Sequence, residues 1–245
     1  KQDFNSIVPH TIEEAYEVAD AIERQDFAEL KLELGDLLFQ SIFYSQLGKE
    51  QNLFDFDDVV EGICEKLIRR HPHVFGNAQL QTDEEIKANW EKEKSKERQQ
   101  KSDANPQTTS VLNDIPRALP ALSRSYKIQK RVASVGFDWP DINGALDKVS
   151  EEVEEVKQEV LNNKNLENQD AIAEEIGDLY FALSNVVRHL GLKPEQVAEQ
   201  ANKKFERRFR HLEQLAADQK SNLNTLSLEQ LDALWDRVKL LEKSN

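Results

Sequence analysis

The sequence has few of the residues that interrupt helices or cross-link chains. Its 245 residues include 8 glycines, 7 prolines, one cysteine and no methionine. The scarcity of glycine and proline favours long regular elements. The single cysteine, Cys64, cannot form an internal disulfide, which is typical of proteins from the reducing cytoplasm. No run approaches the roughly 18 consecutive apolar residues of a membrane span, so we expect neither a span nor a signal peptide.

Positive charge is also scarce. The chain carries 32 lysines and arginines against 46 acidic residues, for a formal net charge of −14. Binding to nucleic acid depends largely on neutralising phosphates with basic side chains, so this balance argues against a nucleic-acid partner. A small phosphate-bearing ligand stays possible, because a bound cation can reverse the local field.

Apolar residues recur at helical spacing through most of the chain. Val149, Val153, Val156 and Val160 step by four, three and four and mark one face of a helix. No run shows convincing alternation of apolar and polar residues, which would indicate a strand. The sequence therefore predicts an all-α protein.

The same three motifs occur in the same order in both halves of the chain. They are Glu-Glu-x-x-Glu, Glu-x-Gly-Asp and Lys-x-x-x-Arg, where x is any residue. The second half has four extra residues between the first two motifs, around the Asn-rich residues 161–170. An internal duplication with so long a period predicts paired domains. The motifs begin at Glu13, Glu33 and Lys66 in the first half and at Glu151, Glu175 and Lys204 in the second.

The polar residues 97–113 are interpreted as a linker, with a helix break at Asn105-Pro106. This predicts an N-terminal domain over residues 1–96 and a C-terminal domain over residues 114–245.

The acidic motifs predict a metal site. Glu152 and Glu155 lie three residues apart, as do Glu175 and Asp178, so each pair projects from one side of its helix. Glu175 also falls within an apolar stripe, where an ionised carboxylate is unfavourable unless a cation meets it. Four carboxylates from two helices form an oxygen cage suited to Mg²⁺. The equivalent set in the first half is Glu14, Glu17, Glu33 and Asp36.

Other readings of these motifs compete with the metal site. Acidic pairs are common on solvated helix faces, but the repeated arrangement, with Gly35 and Gly177 at the same place, favours a site. These glycines would let a ligand or a helix approach closely. A di-iron bundle needs Glu-x-x-His pairs, and none of the five histidines has a glutamate three residues before it.

The basic motif has two interpretations. Lys204 and Arg208 share a helix face and form either a solvated basic stripe or a clamp for phosphate, and their recurrence beside the acidic motifs favours the clamp. For Trp235, on a late amphipathic helix, buried packing is the default and stacking on a base is the minority reading.

These residues together resemble the MazG family. The resemblance rests on Glu-Glu-x-x-Glu followed by Glu-Leu-Gly-Asp-Leu-Leu-Phe, and on the segments at residues 69–75, 114–120, 135–139 and 203–209. It covers essentially the whole chain and keeps the order of two domains. The family's Cys-Pro-Trp-Asp segment is missing before the first domain, so we expect that domain to be truncated at its start.

The resemblance implies two tandem helical bundles that dimerise, and hydrolysis of nucleoside triphosphates to monophosphate and pyrophosphate. It implies Mg²⁺ on Glu152, Glu155, Glu175 and Asp178, and nucleotide contacts from Lys148, Lys204, Arg208 and Trp235. The second domain is the one expected to be active. Glu151 or Glu174, beside the nucleotide, would accept the proton of the attacking water, and Lys204 and Arg208 would stabilise the leaving pyrophosphate.

We expect broad base specificity and a cytoplasmic role in nucleotide-pool housekeeping or stress regulation. Two alternatives remain open from the sequence. One is a helical binding or regulatory module without turnover, and the other is a hydrolase restricted to noncanonical or alarmone nucleotides.

Overall fold

The computed structural model describes residues 2–78, 82–104, 110–162 and 169–243. Throughout these ranges the regular structure is helical and contains no strand, so the all-α prediction is confirmed. No helix in them is both long and apolar enough to cross a membrane. The chain divides into two compact units, Lys1–Pro106 and Gln107–Asn245.

The first unit is built on a pair of packed helices, α1 and α2. Asp3 caps the start of α1 by accepting a 2.8 Å hydrogen bond from the Ser6 amide, and Asp26 caps α2 in the same way from Glu29. Only three residues separate α1 from α2, which is the short connection of a helical hairpin. The helices of this unit are α1 (Phe4–Glu23), α2 (Phe27–Glu50), α3 (Phe56–Arg70), α4 (Pro72–Phe75) and α5 (Asp83–Ala104).

The second unit repeats this plan with a helix added in front. Its α7 and α8 form an extensive helix pair, and α6 packs on α8, where the Gln129 side chain donates to the Phe181 carbonyl. A small apolar core joins α9 and α10 through Leu212, Ala216 and Val238. The helices are α6 (Ala121–Ala133), α7 (Ile142–Asn162), α8 (Gln169–His189), α9 (Pro194–Asp218) and α10 (Leu228–Lys243), with a 3-10 turn at Leu223–Thr225.

The duplication extends beyond the three motifs, to the last helix of each unit. Arg70 on α3 binds Glu97 on α5, with Nη2 2.5 Å from Oε2. Arg208 on α9 binds Glu242 on α10, with Nε 2.7 Å from Oε2. In both units the neighbouring arginine, Arg69 or Arg207, shares the same carboxylate, and a tryptophan stands seven residues before the glutamate. We infer that α3 with α5 and α9 with α10 are equivalent helix pairs.

The predicted linker, residues 97–113, begins within a helix. Helix α5 continues to Ala104, so residues 97–104 are helical. The Glu97 side chain is tied to α3 through Arg69 and Arg70. The segment reads as polar, but its glutamate, glutamines and lysine are good helix formers. Asn105, Pro106 and most of the inserted turn, residues 163–168, lie outside the described residues.

Candidate metal and nucleotide site

Three of the four predicted metal ligands of the second unit come together between α7 and α8. Glu152, Glu175 and Asp178 each place a carboxylate oxygen within 4.8 Å of the other two. Glu152 is buried, at 3% exposure, Glu175 is half-buried and Asp178 is exposed. The cluster therefore leads from the helix interface out to solvent.

A lysine neutralises part of this cluster. The Lys148 Nζ lies 2.6 Å from Oε1 of Glu152 and 2.7 Å from Oε1 of Glu151, one turn further along α7. These hydrogen bonds, first from Glu151 and then from Glu152, raise the pKa of Lys148 above its usual value. Lys148 is therefore held as an ammonium ion at the inner end of the cluster.

The second oxygen of Glu152 is the unexplained atom of the site. Its Oε2 is buried and has no hydrogen-bond partner among the described residues. A buried carboxylate oxygen without a donor or a cation is costly. The other two groups near it are carboxylates, which can only accept when ionised. The set is all oxygen, so the residues present fit a hard divalent cation such as Mg²⁺.

Glu155, the fourth predicted ligand, lies beside this group rather than within it. It is exposed, and the three-residue cluster does not include it. Partial desolvation, and then the neighbouring Glu152, raise the pKa of Glu155 above its usual range. The negative charge of the cluster therefore affects Glu155. A proton on the Glu155 carboxylate would compete with a metal cation for that group.

The first unit holds a similar cluster with a different neighbour. Glu14, Glu17 and Glu33 gather between α1 and α2 within the same 4.8 Å limit. Asp36 stands outside the cluster. Desolvation is the largest cause of the raised pKa of Glu17 and of Glu33, and the charge of Asp36 contributes to both. The partner of Glu14 is the neutral amide of Gln40, at 3.3 Å.

The counterpart of Lys148 in the first unit is a histidine. Lys148 lies four residues before Glu152, and His10 lies four residues before Glu14. The His10 Nδ1 is 3.6 Å from Glu13, and its side chain is 61% exposed. Each cluster therefore holds three carboxylates, but Lys148 bonds to a member of its cluster, whereas the ion-pair partner of His10 is Glu13, which lies outside the first cluster.

The two residues of the predicted phosphate clamp have different surroundings. Lys204 is exposed, while the ion-pair partner of Arg208 is Glu242 on α10 rather than a carboxylate of the cluster. The guanidinium uses only Nε in that pair, whereas Arg70 binds Glu97 through both Nε and Nη2.

Sequence reasoning missed Glu242 and Glu97. The available indication was the tryptophan seven residues before a glutamate on the last helix of both halves, at Trp90 and at Trp235. Because these glutamates meet their arginines from distant helices, no local spacing within the basic motif could reveal the pairs.

Trp235 takes the packing role that was its default prediction. It is half-buried against the core of α9 and α10, and its ring lies 5.2 Å from that of Phe205. Its contact with nucleotide stays a prediction.

The two motif glycines have no close neighbours in the part of the chain that the structure describes, and the two predicted proton acceptors are exposed to solvent. A Cβ atom built at Gly35 or Gly177 would meet no atom within 4 Å in the described structure, so the helix approach expected there is absent. Glu151 is exposed but engaged with Lys148, and Glu174, which directly precedes Glu175 in the chain, is exposed.

The chain is similar in sequence to known proteins of one family. Residues 2–75 and 143–213 match the family described as MazG nucleotide pyrophosphohydrolase domain. The chain is 47% identical over 242 residues to a nucleoside triphosphate pyrophosphohydrolase of Escherichia coli strain K12, covering 99% of this chain and 89% of that protein. It is 37% identical over 239 residues to a nucleoside triphosphate pyrophosphohydrolase/pyrophosphatase MazG of Thermotoga maritima, covering 98% and 87% respectively.

Because the carboxylates repel one another, replacing one of them should stabilise the metal-free protein but reduce the stabilisation that Mg²⁺ provides. Without metal, Glu175→Gln relieves like-charge repulsion and should raise the melting temperature by about 2 °C. With saturating Mg²⁺, the wild type should gain stability by mass action and the variant should gain much less. Differential scanning calorimetry measures both, with Asp147→Asn, at an exposed position of α7, as the matched charge control. Equal stabilisation of wild type and Glu175→Gln by Mg²⁺ would rule out this cluster as the metal site.

Proposed function

The chain belongs to the MazG family, and we propose that it is an enzyme that hydrolyses nucleoside triphosphates to nucleoside monophosphate and pyrophosphate. We place the reaction at the carboxylate cluster of the second unit, with Mg²⁺ as the cofactor. The observation that carries this proposal is the buried Glu152 oxygen, for which the described part of the chain offers no donor, inside an all-oxygen cluster. The names of the relatives from Escherichia coli and Thermotoga maritima support the same reaction.

Glu152, Glu175 and Asp178 would hold the metal, with Glu155 beside them. When bound, Mg²⁺ would neutralise phosphate charge and lower the pKa of a coordinated water. Glu174 is the preferred proton acceptor for the attacking water, because Glu151 is engaged with Lys148.

The cationic side chains would bind the phosphates. Lys148 uses two of its three N–H groups on Glu151 and Glu152, which leaves one for a phosphate oxygen. Arg208 binds Glu242 through Nε, so its terminal nitrogens can meet the leaving pyrophosphate, together with Lys204. Trp235 would contribute to nucleotide contact from α10.

Broad base specificity belongs to the same proposal. The side chains gathered at the cluster are carboxylates and an ammonium group, which bind metal and phosphate and do not distinguish one base from another. Such an activity suits nucleotide-pool housekeeping or a stress response. The acidic charge and the single cysteine support a cytoplasmic location.

Homodimerisation is supported by the amount of surface that the chain exposes. Its accessible area is 18189 Å², whereas two independent compact domains of half its mass would expose about 13,500 Å² together. Large apolar side chains account for much of this exposure on the paired helices, for example Leu34 and Phe39 on α2 and Tyr180 and Leu183 on α8. We propose that a second copy covers these faces. Light scattering should give a mass of twice 28.2 kDa, and a monomer would refute the dimer.

The proposed reaction is tested by its products. Purified protein is incubated with ATP, GTP, CTP and UTP, with Mg²⁺ or with chelator, and the products are resolved by anion exchange. Monophosphate and pyrophosphate should form only with metal, and Glu175→Ala should lower kcat about a hundredfold or more. Asp147→Asn should behave as wild type.

Other outcomes of this assay would contradict the proposal. Diphosphate with orthophosphate would mean that a different bond is cleaved. A folded sample without turnover of any nucleotide would favour the binding-module alternative.

A further inference from the structure

Trp139 differs from the other two tryptophans in its exposure. Its side chain is 46% exposed, whereas Trp90 and Trp235 are half-buried. Trp90 packs edge-on against His71, and Trp235 packs against Phe205. Within the described part of the chain, the Trp139 ring has neither an aromatic partner nor a cation over its face. A large aromatic surface is therefore available to a ligand.

The Trp139 ring packs against the backbone of α7 at Gly144. A Cβ atom built at Gly144 would lie 2.7 Å from Cε3 and 2.8 Å from Cδ2 of Trp139, which no real side chain could tolerate. The indole thus rests directly on the helix backbone, and only glycine at position 144 permits this contact.

Asp138 anchors the same segment to α8. Its Oδ1 accepts a 2.9 Å hydrogen bond from the Trp139 amide, forms an ion pair with Arg188 and lies 3.2 Å from Nε2 of His189. Arg188 and His189 end the helix that supplies Glu175 and Asp178. Trp139 is therefore positioned by both helices that form the metal cluster.

Gly144, on which the Trp139 ring packs, lies on the same helix as the cluster residue Glu152. Gly144, Lys148 and Glu152 follow one another at intervals of four residues on α7, and Lys148 bonds directly to Glu152. Gly144 and Glu152 are about 12 Å apart along the helix axis. An extended nucleoside triphosphate spans a comparable length between its phosphates and its base.

We propose that Trp139 is the platform on which the nucleobase stacks, with the phosphates directed past Lys148 to the metal cluster. This inference rests on the proposed function. Stacking uses the face of a base rather than its hydrogen-bonding edge, and every base has such a face, so the platform accounts for broad base specificity. Trp139 binds the substrate and takes no part in the proton transfer.

The test separates base binding from phosphate binding. Calorimetry measures the Kd of AMP, which is the product and is not hydrolysed, and of inorganic tripolyphosphate, which has no base. Trp139→Ala should raise the Kd of AMP, and the KM of ATP, about tenfold or more while leaving kcat nearly unchanged. Its Kd for tripolyphosphate should stay within about twofold, because the ring contacts no phosphate.

Three further variants guard against a merely structural effect. Trp139→Phe keeps an aromatic face and should stay within about threefold of wild type for AMP. Gly144→Ala keeps the tryptophan but occupies its seat, so it should weaken AMP binding as Trp139→Ala does. Phe137→Ala removes an exposed aromatic side chain from the same segment, 79% exposed, and should bind AMP as wild type.

The experiment gives different results for the failure of the Trp139 platform and for the failure of the proposed hydrolysis. Wild-type affinity of Trp139→Ala for AMP, or an equal loss of AMP and tripolyphosphate binding, would overturn the platform. If the protein hydrolyses nucleotides but binds AMP equally well without Trp139, the platform is wrong and the proposed reaction stands. Trp139-dependent AMP binding without any turnover would support the platform and overturn the proposed reaction.

Discussion

The second unit buries the carboxylate of Glu152 between α7 and α8, where an ionised group is unfavourable unless a positive charge lies beside it. One of its oxygens is bonded to Lys148, and the other has no donor among the residues that the structure describes. Since this oxygen is buried, a bound cation would stabilise it, and the approach of Glu175 and Asp178 increases the negative charge that such a cation would balance. The cluster is thus unfavourable as a purely structural feature and favourable as a binding site.

The duplication supplies an internal comparison for this interpretation. Both units gather three carboxylates between two helices, and both tie an arginine pair to a glutamate on their last helix. They differ in what faces the innermost carboxylate, which is the Lys148 ammonium in one unit and the Gln40 amide in the other. They differ also in the arginine pair, because Arg208 binds Glu242 through Nε alone, whereas Arg70 also commits one terminal nitrogen, Nη2, to Glu97. These differences are the reason for placing the proposed phosphate-binding groups in the second unit.

Much of this architecture could be predicted from local pattern. Helical spacing gave the all-α class, and the spacing of Glu152, Glu175 and Asp178 placed their side chains on facing surfaces of α7 and α8. The offset of Glu155 depends on its side-chain position, which spacing alone does not determine. The Arg208–Glu242 pair joins residues 34 apart, and the seat of Trp139 on Gly144 depends on the path of a loop. Both are tertiary contacts that local periodicity cannot reveal.

The central claim is that the carboxylates between α7 and α8 bind a divalent cation. A crystal structure of the full chain grown with Mn²⁺, with data collected at the manganese absorption edge, tests this most directly. We predict an anomalous peak bounded by Glu152, Glu175 and Asp178, with Oε2 of Glu152 among its ligands. A well-ordered cluster without such a peak, at a concentration of Mn²⁺ that supports turnover, would contradict the account.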